Sequence, residues 1–395
     1  MKKIDRHLRM LAPIGRGSQP VRGPEELMVD FCNLCNLHCL ICFNYSPLSP
    51  CPLAIDERRS YFPRDLFIEL LDDCAKMGGT RINLAGGGEP LMHPQCAELL
   101  SEIRKRGIEV SITSNGTLLH RFPELIDVLD SAFLSIHAGS ADAYRRMHPA
   151  DPQKSWENVL KGLKLLRDAA IPTIIGFIVT TENYNDIEAA IRLCGENGAD
   201  IAIQPLKPFI RKEEGSLQLD PDKINSFQLT GRHMEELKDR RNGFFKLASE
   251  LGVTILGLDE MLSLDVSRAG SDPADHVNDP MGTYYDENPC YAGWYFARVL
   301  MDGSVTPCCQ CKDKITIGNI NDIRFKDLWF SDEYRRFRDE ALEVPLRGTD
   351  IWARCQCGFC DMVMKNKKVH RMLTGRGLFP SLLRLAGPFF RRRRQ

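Results

Sequence analysis

The chain has 395 residues, of which 43% are hydrophobic and 27% charged, and its formal net charge is −1. That length exceeds what one hydrophobic core usually covers, and that balance sets up no global field to recruit nucleic acid, so a large domain plus a smaller one is expected, with no specific nucleic-acid partner. The basic N-terminus lacks the apolar stretch of a signal peptide and no long apolar run follows, which gives the expectation of a cytoplasmic, non-spanning protein.

Residues 1–24 read as an N-terminal extension. From 25 to 208 apolar strand patterns alternate with helical ones, which predicts parallel βα units. The strands are expected at Leu27–Phe31, Arg81–Ala85, Glu109–Thr113, Ala132–His137, Thr173–Val179 and Ile201–Gln204. Between them, Leu66, Phe67, Leu70, Leu71 and Cys74 recur at helical spacing and stop at Gly78-Gly79; Trp156, Val159, Leu160, Leu163 and Leu166 do the same before Pro172. Six such units predict an α/β fold, a partial (β/α)6 TIM-like barrel with its strand C-termini on one face, where barrels assemble active sites. Residues 209–287 read as a linker with one good helix, Met234–Leu251, and 288–363 as a small cysteine-rich domain. Residues 364–395 form a basic amphipathic tail. From Lys365 to Arg394 there are ten Lys or Arg and no acid, flanking Leu378, Phe379, Leu382, Leu383, Leu385, Phe389 and Phe390. That combination suits peripheral contact with an anionic membrane surface rather than packing on the catalytic domains.

Fifteen cysteines in a large chain without a signal peptide are better read as metal ligands than as disulfides. Four fall between Cys32 and Cys42 and seven between Cys290 and Cys360, whereas Cys51, Cys74, Cys96 and Cys194 are scattered. In the first group Cys35, Cys39 and Cys42 form CxxxCxxC directly after the first strand. Thiolates hold iron-sulfur clusters, a four-iron cube normally takes four, and three would leave one iron open. On this segment alone zinc is the alternative, because Cys32-x-x-Cys35 and Cys39-x-x-Cys42 are two CxxC pairs beside His38. Two further turns have no use in a zinc knuckle: Gly87-Gly88-Glu89-Pro90 after the second strand and Thr113-Ser114-Asn115-Gly116 after the third.

With these three elements at successive strand ends, residues 25 to 205 resemble the radical S-adenosylmethionine (SAM) superfamily. The resemblance implies a site-open 4Fe-4S cluster on Cys35, Cys39 and Cys42 that chelates SAM, yields a 5'-deoxyadenosyl radical, and draws electrons from an external donor such as flavodoxin or ferredoxin. By the same resemblance Gly87, Gly88 and Glu89, with Pro90 closing the motif, meet the methionyl amino group. Ser114, Asn115 and Ser135 would bond the ribose, and Arg146 is the candidate for the methionyl carboxylate. Two positions depart from the family pattern. The residue before the third cysteine is Ile41 rather than an aromatic, which shifts the expected adenine contact to Phe43. His137 and His148 stand where relatives commonly show Asp and Arg, and either is a candidate substrate or proton-transfer group.

The C-terminal segment carries Cys290, Cys308 after an Asp302-Gly303 turn, and later Cys357-x-x-Cys360. It resembles the SPASM and shorter twitch extensions of the same superfamily. That implies one auxiliary 4Fe-4S cluster on Cys290, Cys308, Cys357 and Cys360, with Cys309, Cys311 and Cys355 as spares and an electron-transfer or stabilising role. A zinc ribbon from the same four thiolates is the alternative.

Fold and cofactor do not name a substrate. The first expectation is a small polar or lipid-linked molecule of carbohydrate, aminocyclitol or glycolipid type. The second is a peptide maturase, ranked lower because only 34 residues precede Cys35. The third, from another class, is a non-catalytic metal scaffold or electron carrier, which leaves both turns without a purpose. Gln204, Lys207 and Arg211 are candidates to face the barrel opening.

Overall fold

The computed structural model describes Ile14 and residues 19–42, 44–46, 55–78, 81–148, 152–206, 226–263, 280–311, 314–355, 357, 360 and 362–374. Phe43, Lys207, Arg211 and the tail beyond Thr374 lie outside the described residues.

Six strands, β1 (Glu26–Asp30), β2 (Arg81–Ala85), β3 (Glu109–Ser114), β4 (Ser131–Ser135), β5 (Thr173–Val179) and β6 (Asp200–Pro205), lie side by side, each parallel to the next. Helices α1 (Arg64–Lys76), α2 (Cys96–Lys105), α3 (Ala141–Met147), α4 (Pro152–Asp168) and α5 (Ile187–Asn197) come between them along the chain. Alternation fixes which side of each strand they cover. Leu27, Val29, Ile82, Leu84, Val110, Ile112, Leu134, Ile175, Phe177 and Ile203 are all buried in one core with Phe67, Leu70, Leu99, Leu100, Leu163 and Ile191 from the helices. Each such Leu, Ile or Phe contributes about 1.5–3 kcal/mol by leaving water. The alternate residues form the other face: Met28 pairs with Asn83, Asn83 with Ser111, Thr113 with Phe133, Ser135 with Gly176, and Ile178 with Gln204. Most of these are half-buried and Gln204 is exposed, the mark of a lumen rather than a packed layer.

The sheet continues at both edges. The helix α6 (Gly231–Leu251) leads into β7 (Ile255–Leu256), which adds in parallel to β6. At the other edge β8 (Phe296–Val299) adds in parallel to β1, and β9 (Ser304–Thr306) and β10 (Gly318–Asn319) fold back antiparallel. The order is β10-β9-β8-β1-β2-β3-β4-β5-β6-β7, so β10 and β7 are the two ends of an open sheet. The cysteine-rich segment therefore continues the barrel sheet instead of standing apart from it. Other ties fix it there: Arg324 grips Asp73 of α1 with two nitrogens, at 2.8 and 3.1 Å, and the Trp329 indole donates to the Arg22 carbonyl at 2.9 Å.

Past β10 the C-terminal segment adds an aromatic-rich part to the same core. Arg338, on α8 (Asp332–Ala341; α7 is Pro280–Glu287), is buried and donates to the carbonyls of Gly293 and Trp329 at 2.9 Å each. Its guanidinium lies 4.1 and 4.4 Å from the Tyr334 and Trp329 ring centroids, and burial pushes it down to about 10.

One expectation needs correction. Residues 364–374 were assigned to a tail that does not pack on the catalytic domains, but Val363–Thr374 is a helix, α9, with Asn366, Val369 and Leu373 buried. Lys365 reaches Glu25 and Glu26 at 3.9 and 3.7 Å and lies over the Tyr295 ring. The reason is that Val363, Asn366, Val369 and Leu373 recur three or four apart and so share one helix face, which the charge count hides. No helix among the described residues is long and apolar enough to cross a membrane.

Candidate functional site

The cysteine loop is held by backbone before any side chain acts. It leaves β1 through Phe31, which packs on Phe67 and stacks on His93 at 4.3 Å. Gly88 N–H then donates to the Cys32 carbonyl at 2.9 Å and Glu89 N–H to the Leu34 carbonyl at 2.7 Å. At that closeness a side chain has no room. A Cβ on Gly88 would lie 2.3 Å from the Leu34 oxygen, and one on Gly87 would lie 2.4 Å from Asn33 Oδ1. Asn44 donates to the Gly87 carbonyl, Tyr45 to the Asn33 carbonyl, and Leu40 N–H to the last carbonyl of α3, that of Met147.

Cys35, Cys39 and Cys42 are each partly exposed, whereas Cys32 is fully buried with its thiol on the Leu34 carbonyl. Burial pushes Cys35 up to about 12, with Glu89 and Cys42 as the neighbouring negative charges. Cys39 is raised by burial and then by Cys42 and Cys35. Cys42 is raised by burial, against which the backbone amides of Asn44, Tyr45 and Ser46 pull down. Cys35 feels Cys42, and Cys39 feels both, as like charges would, a cost that a cation or iron cube among them would remove.

Glu89 is the clasp between two turns. Its carboxylate accepts from Ser114 Oγ at 2.8 Å, Asn115 N–H at 2.7 Å and Leu91 N–H at 3.2 Å, and it is 1% exposed. Burial raises it to about 7 although all three donors pull it down. A carboxylate has about four acceptor positions, so one remains for a further donor such as an ammonium. Pro90 opens the short 3-10 turn behind it. The Asn115 amide donates to Asn36 Oδ1 at 3.0 Å and leans on the Cys35 sulfur at 3.9 Å, which brings the third-strand turn against the cysteine loop.

Gly87, Gly88, Glu89, Pro90, Ser114 and Asn115 therefore gather with the cysteines. Ser135 ends β4 on the lumen face. Arg146 stands apart: on the half-exposed side of α3, its Nε donates to the Glu182 carbonyl at 2.8 Å and lies 3.8 Å from that carboxylate. The two histidines are buried and neutral. His148 Nε2 donates to the Ile136 carbonyl at 3.0 Å, which turns Nδ1 to the Cys39 sulfur at 3.1 Å; burial pushes it down to about 4. His137 sits at φ 57°, accepts from Ile178 N–H, and is pushed down to about 3, first by burial and then by His148. Tyr144 went unremarked in the sequence. Its ring lies 4.2 Å from His148, and its buried hydroxyl has no hydrogen-bond partner within electrostatic reach of Cys39 and Cys35.

The second cysteine group is assembled from distant segments. Cys290, Cys308 and Cys360 are buried and Cys357 is partly exposed. Burial raises Cys308, followed by Cys360 and Cys290; Cys357 is raised by burial, then by Cys290 and Cys360. The four expected ligands are thus neighbours in space. Cys311 and Cys355 stand beside each other, their Cα atoms 4.9 Å apart, and the Cys311 sulfur is also 3.5 Å from that of Cys308, so two of the expected spares lie against the ligand group. Arg298 on β8 bonds Cys309 on one side and Asp30, at the end of β1, on the other at 2.7 Å, a nearly buried cation between the two cysteine groups.

Among the described residues no three His, Cys, Asp or Glu side chains stand as ligands around a single metal ion. The fit to clusters rests on donor chemistry: three partly exposed thiols on one loop beside a Tyr144 hydroxyl with no hydrogen-bond partner, and four beside such hydroxyls of Tyr284 and Tyr295.

Two family models match the chain: the radical SAM superfamily over residues 29–194, and the SPASM iron-sulfur cluster-binding domain over 290–360. Among curated relatives, PqqA peptide cyclase of Gluconobacter oxydans is 22% identical, over 85% of this chain and 86% of its own. AdoMet-dependent heme synthase of Methanosarcina barkeri is 25% identical, over 83% and 85%. The fold is like that of Streptococcus suis SuiB bound to precursor peptide SuiA, with a TM-score of 0.58 at 16% identity, covering 91% of this chain and 75% of that one. It is also like anSMEcpe with bound AdoMet and Cp18Cys peptide, with a TM-score of 0.54 at 18% identity, covering 92% of this chain and 99% of that one.

Proposed function

The chain belongs to the radical SAM superfamily and carries a C-terminal SPASM domain, and on that premise we propose that it is a peptide-modifying enzyme, abstracting hydrogen from a side chain of a short peptide. This reverses the order expected from the sequence. The argument against a peptide was the shortness of the segment before Cys35, and it loses its force because this chain matches 99% of the length of a structure that carries a bound peptide. That observation carries the reading. The sheet edges support it, since among the described residues β10 and β7 end the sheet unpaired and an extended chain can add to such an edge. So does the lumen face, where Met28, Phe133 and Ile178 alternate with Asn83, Thr113, Ser135 and Gln204. A peptide with mixed side chains meets both kinds of surface there.

Bound cluster and SAM supply the 5'-deoxyadenosyl radical that makes hydrogen abstraction accessible. The chain's own residues set its place. Cys35, Cys39 and Cys42 would hold the cluster, three thiolates where a four-iron cube can take four. Glu89 keeps an acceptor position toward a methionyl ammonium, and Ser114 and Asn115, which fix Glu89, hold the third-strand turn against the loop. Cys290, Cys308, Cys357 and Cys360 would hold an auxiliary cluster, whose chemistry would be to pass electrons.

A tetrapyrrole-like or other non-peptide substrate is the second reading, favoured by the relative named as a heme synthase. To test the assignment, reconstituted enzyme is incubated anaerobically with SAM, reductant and either short peptides encoded beside its gene or a panel of aminocyclitols, sugars and porphyrins. The proposal expects substrate-dependent 5'-deoxyadenosine and a hydrogen loss on a peptide. Turnover confined to the small molecules contradicts it.

A further inference from the structure

The auxiliary site is enclosed by polar groups that its four cysteines do not account for. Two lie outside the matched residues 290–360: Tyr285 on α7 and Asn366 on α9. The orientation of Asn366 follows from its partners. Its Oδ1 accepts from Tyr291 N–H at 2.8 Å, so its amide nitrogen is what faces the Tyr285 hydroxyl at 2.7 Å and the Cys290 sulfur at 3.7 Å. That nitrogen can only donate, so Tyr285 accepts from it and is left to donate its own proton to the Cys360 sulfur at 3.0 Å. A third group, the Tyr295 hydroxyl, is buried without a hydrogen-bond partner within reach of Cys290, Cys360 and Cys308.

We propose that Tyr285, Asn366 and Tyr295 are a set of hydrogen-bond donors that holds the reduction potential of the auxiliary cluster above the value its four thiolates would give alone. A reduced cluster carries one more negative charge than an oxidised one, and donors aimed at its sulfurs favour the reduced form. Cys290, Cys308 and Cys360 are buried, so donors beside them act with little dielectric screening. Phenylalanine would fill nearly the same volume as either tyrosine without placing a hydroxyl in the interior, where a polar group needs a partner to offset its burial. Tyr285 and Asn366 are hydrogen-bonded to ligand sulfurs, and the Tyr295 hydroxyl, without a hydrogen-bond partner, is close enough to feel the charge of three of them. The inference rests on the presence of the auxiliary cluster and not on the choice of substrate.

The test uses the full two-cluster enzyme and its variants Tyr285→Phe, Tyr295→Phe and the pair. Each is titrated electrochemically while the EPR signal that added SAM leaves unchanged is followed, with iron counted in the same samples. The pair is expected to lower that signal's midpoint until the reduced-to-oxidised ratio at the parental midpoint falls about tenfold, about 59 mV for a one-electron couple. The SAM-sensitive signal keeps its midpoint. An unchanged or raised auxiliary midpoint at full iron overturns the proposal. Loss of auxiliary iron from the phenylalanine variants overturns it too, by assigning these groups to holding the cluster. A parent with one cluster's iron refutes the auxiliary cluster itself, which separates that failure from this one.

Discussion

The two cysteine groups solve opposite problems with one ligand type. The first takes its three sulfurs from a single loop, leaves each partly exposed, and is steadied mainly by backbone: the Gly88 and Glu89 amides on one side, the Leu40 amide on the other. The second draws four sulfurs from three distant stretches, buries three of them, and is enclosed by tyrosines and Asn366. A site that must admit a cofactor keeps a corner open, and loop backbone can hold three ligands without filling the fourth side. A site with four ligands has no corner to keep open and gains from closure, because burial and hydrogen bonds are how a protein sets a cluster's potential.

Removing the open site should have the largest effect. Replacing Cys35, Cys39 and Cys42 together by alanine is expected to abolish 5'-deoxyadenosine formation while the auxiliary iron remains; product at the parental rate would break the comparison. Gly88→Ala comes next. Its new Cβ meets carbonyl oxygens of the cysteine loop that belong to backbone and cannot swing aside, so the turn and the loop must part. Overpacking of this kind costs about 1–3 kcal/mol. Iron analysis should find the first cluster depleted and the second retained.

The first group was legible in the sequence because it is local. CxxxCxxC, GGEP and TSNG are short runs whose neighbours in space are the ends of adjacent strands, and the six core strands fall within a residue or two of the apolar runs that mark them. The second was legible only as a ligand list. Nothing local to Phe296–Val299 indicates that it pairs with β1, some 270 residues earlier in the chain. Tyr285 and Asn366 are single polar residues on helices and carry no periodic signal. The nearness of Cys311 to Cys355 also depends on tertiary approach. His148 was noticed as a departure from pattern, but its place against Cys39 required the structure.

The α9 helix sharpens the difference between the sites. A chain ending at Asn366 cuts the helix that covers the auxiliary group, whereas one ending at Thr374 removes only the basic tail. The shorter form is expected to lose auxiliary iron and thermal stability, and the longer form to keep both; equal behaviour would remove α9 from the closed site. Vesicle co-sedimentation of the full chain against the form ending at Thr374 tests the tail's membrane contact without disturbing α9.

The smallest expected effect concerns pH. His137 is held neutral by burial at about 3, well below its unfolded value of about 6.5, so the unfolded chain binds more protons between those values. Its contribution to stability is fully present above about pH 6.5 and is lost as pH falls toward 3. Asparagine tolerates the positive φ at this position. His137→Asn should therefore make the acid limb of the unfolding profile shallower by about 1.4 kcal/mol per pH unit within that window. An unchanged slope would show that His137 titrates normally in the fold.

The most direct test of the open-and-closed account is the response of the two clusters to SAM. The reconstituted parent is expected to bind about eight irons, about four per cube, and added SAM should change the EPR spectrum of one reduced cluster and leave the other as it was. The change should vanish in the Cys35, Cys39 and Cys42 triple variant and persist when Cys357 and Cys360 are replaced. SAM perturbing neither cluster, or perturbing the one lost with Cys357 and Cys360, would contradict the account.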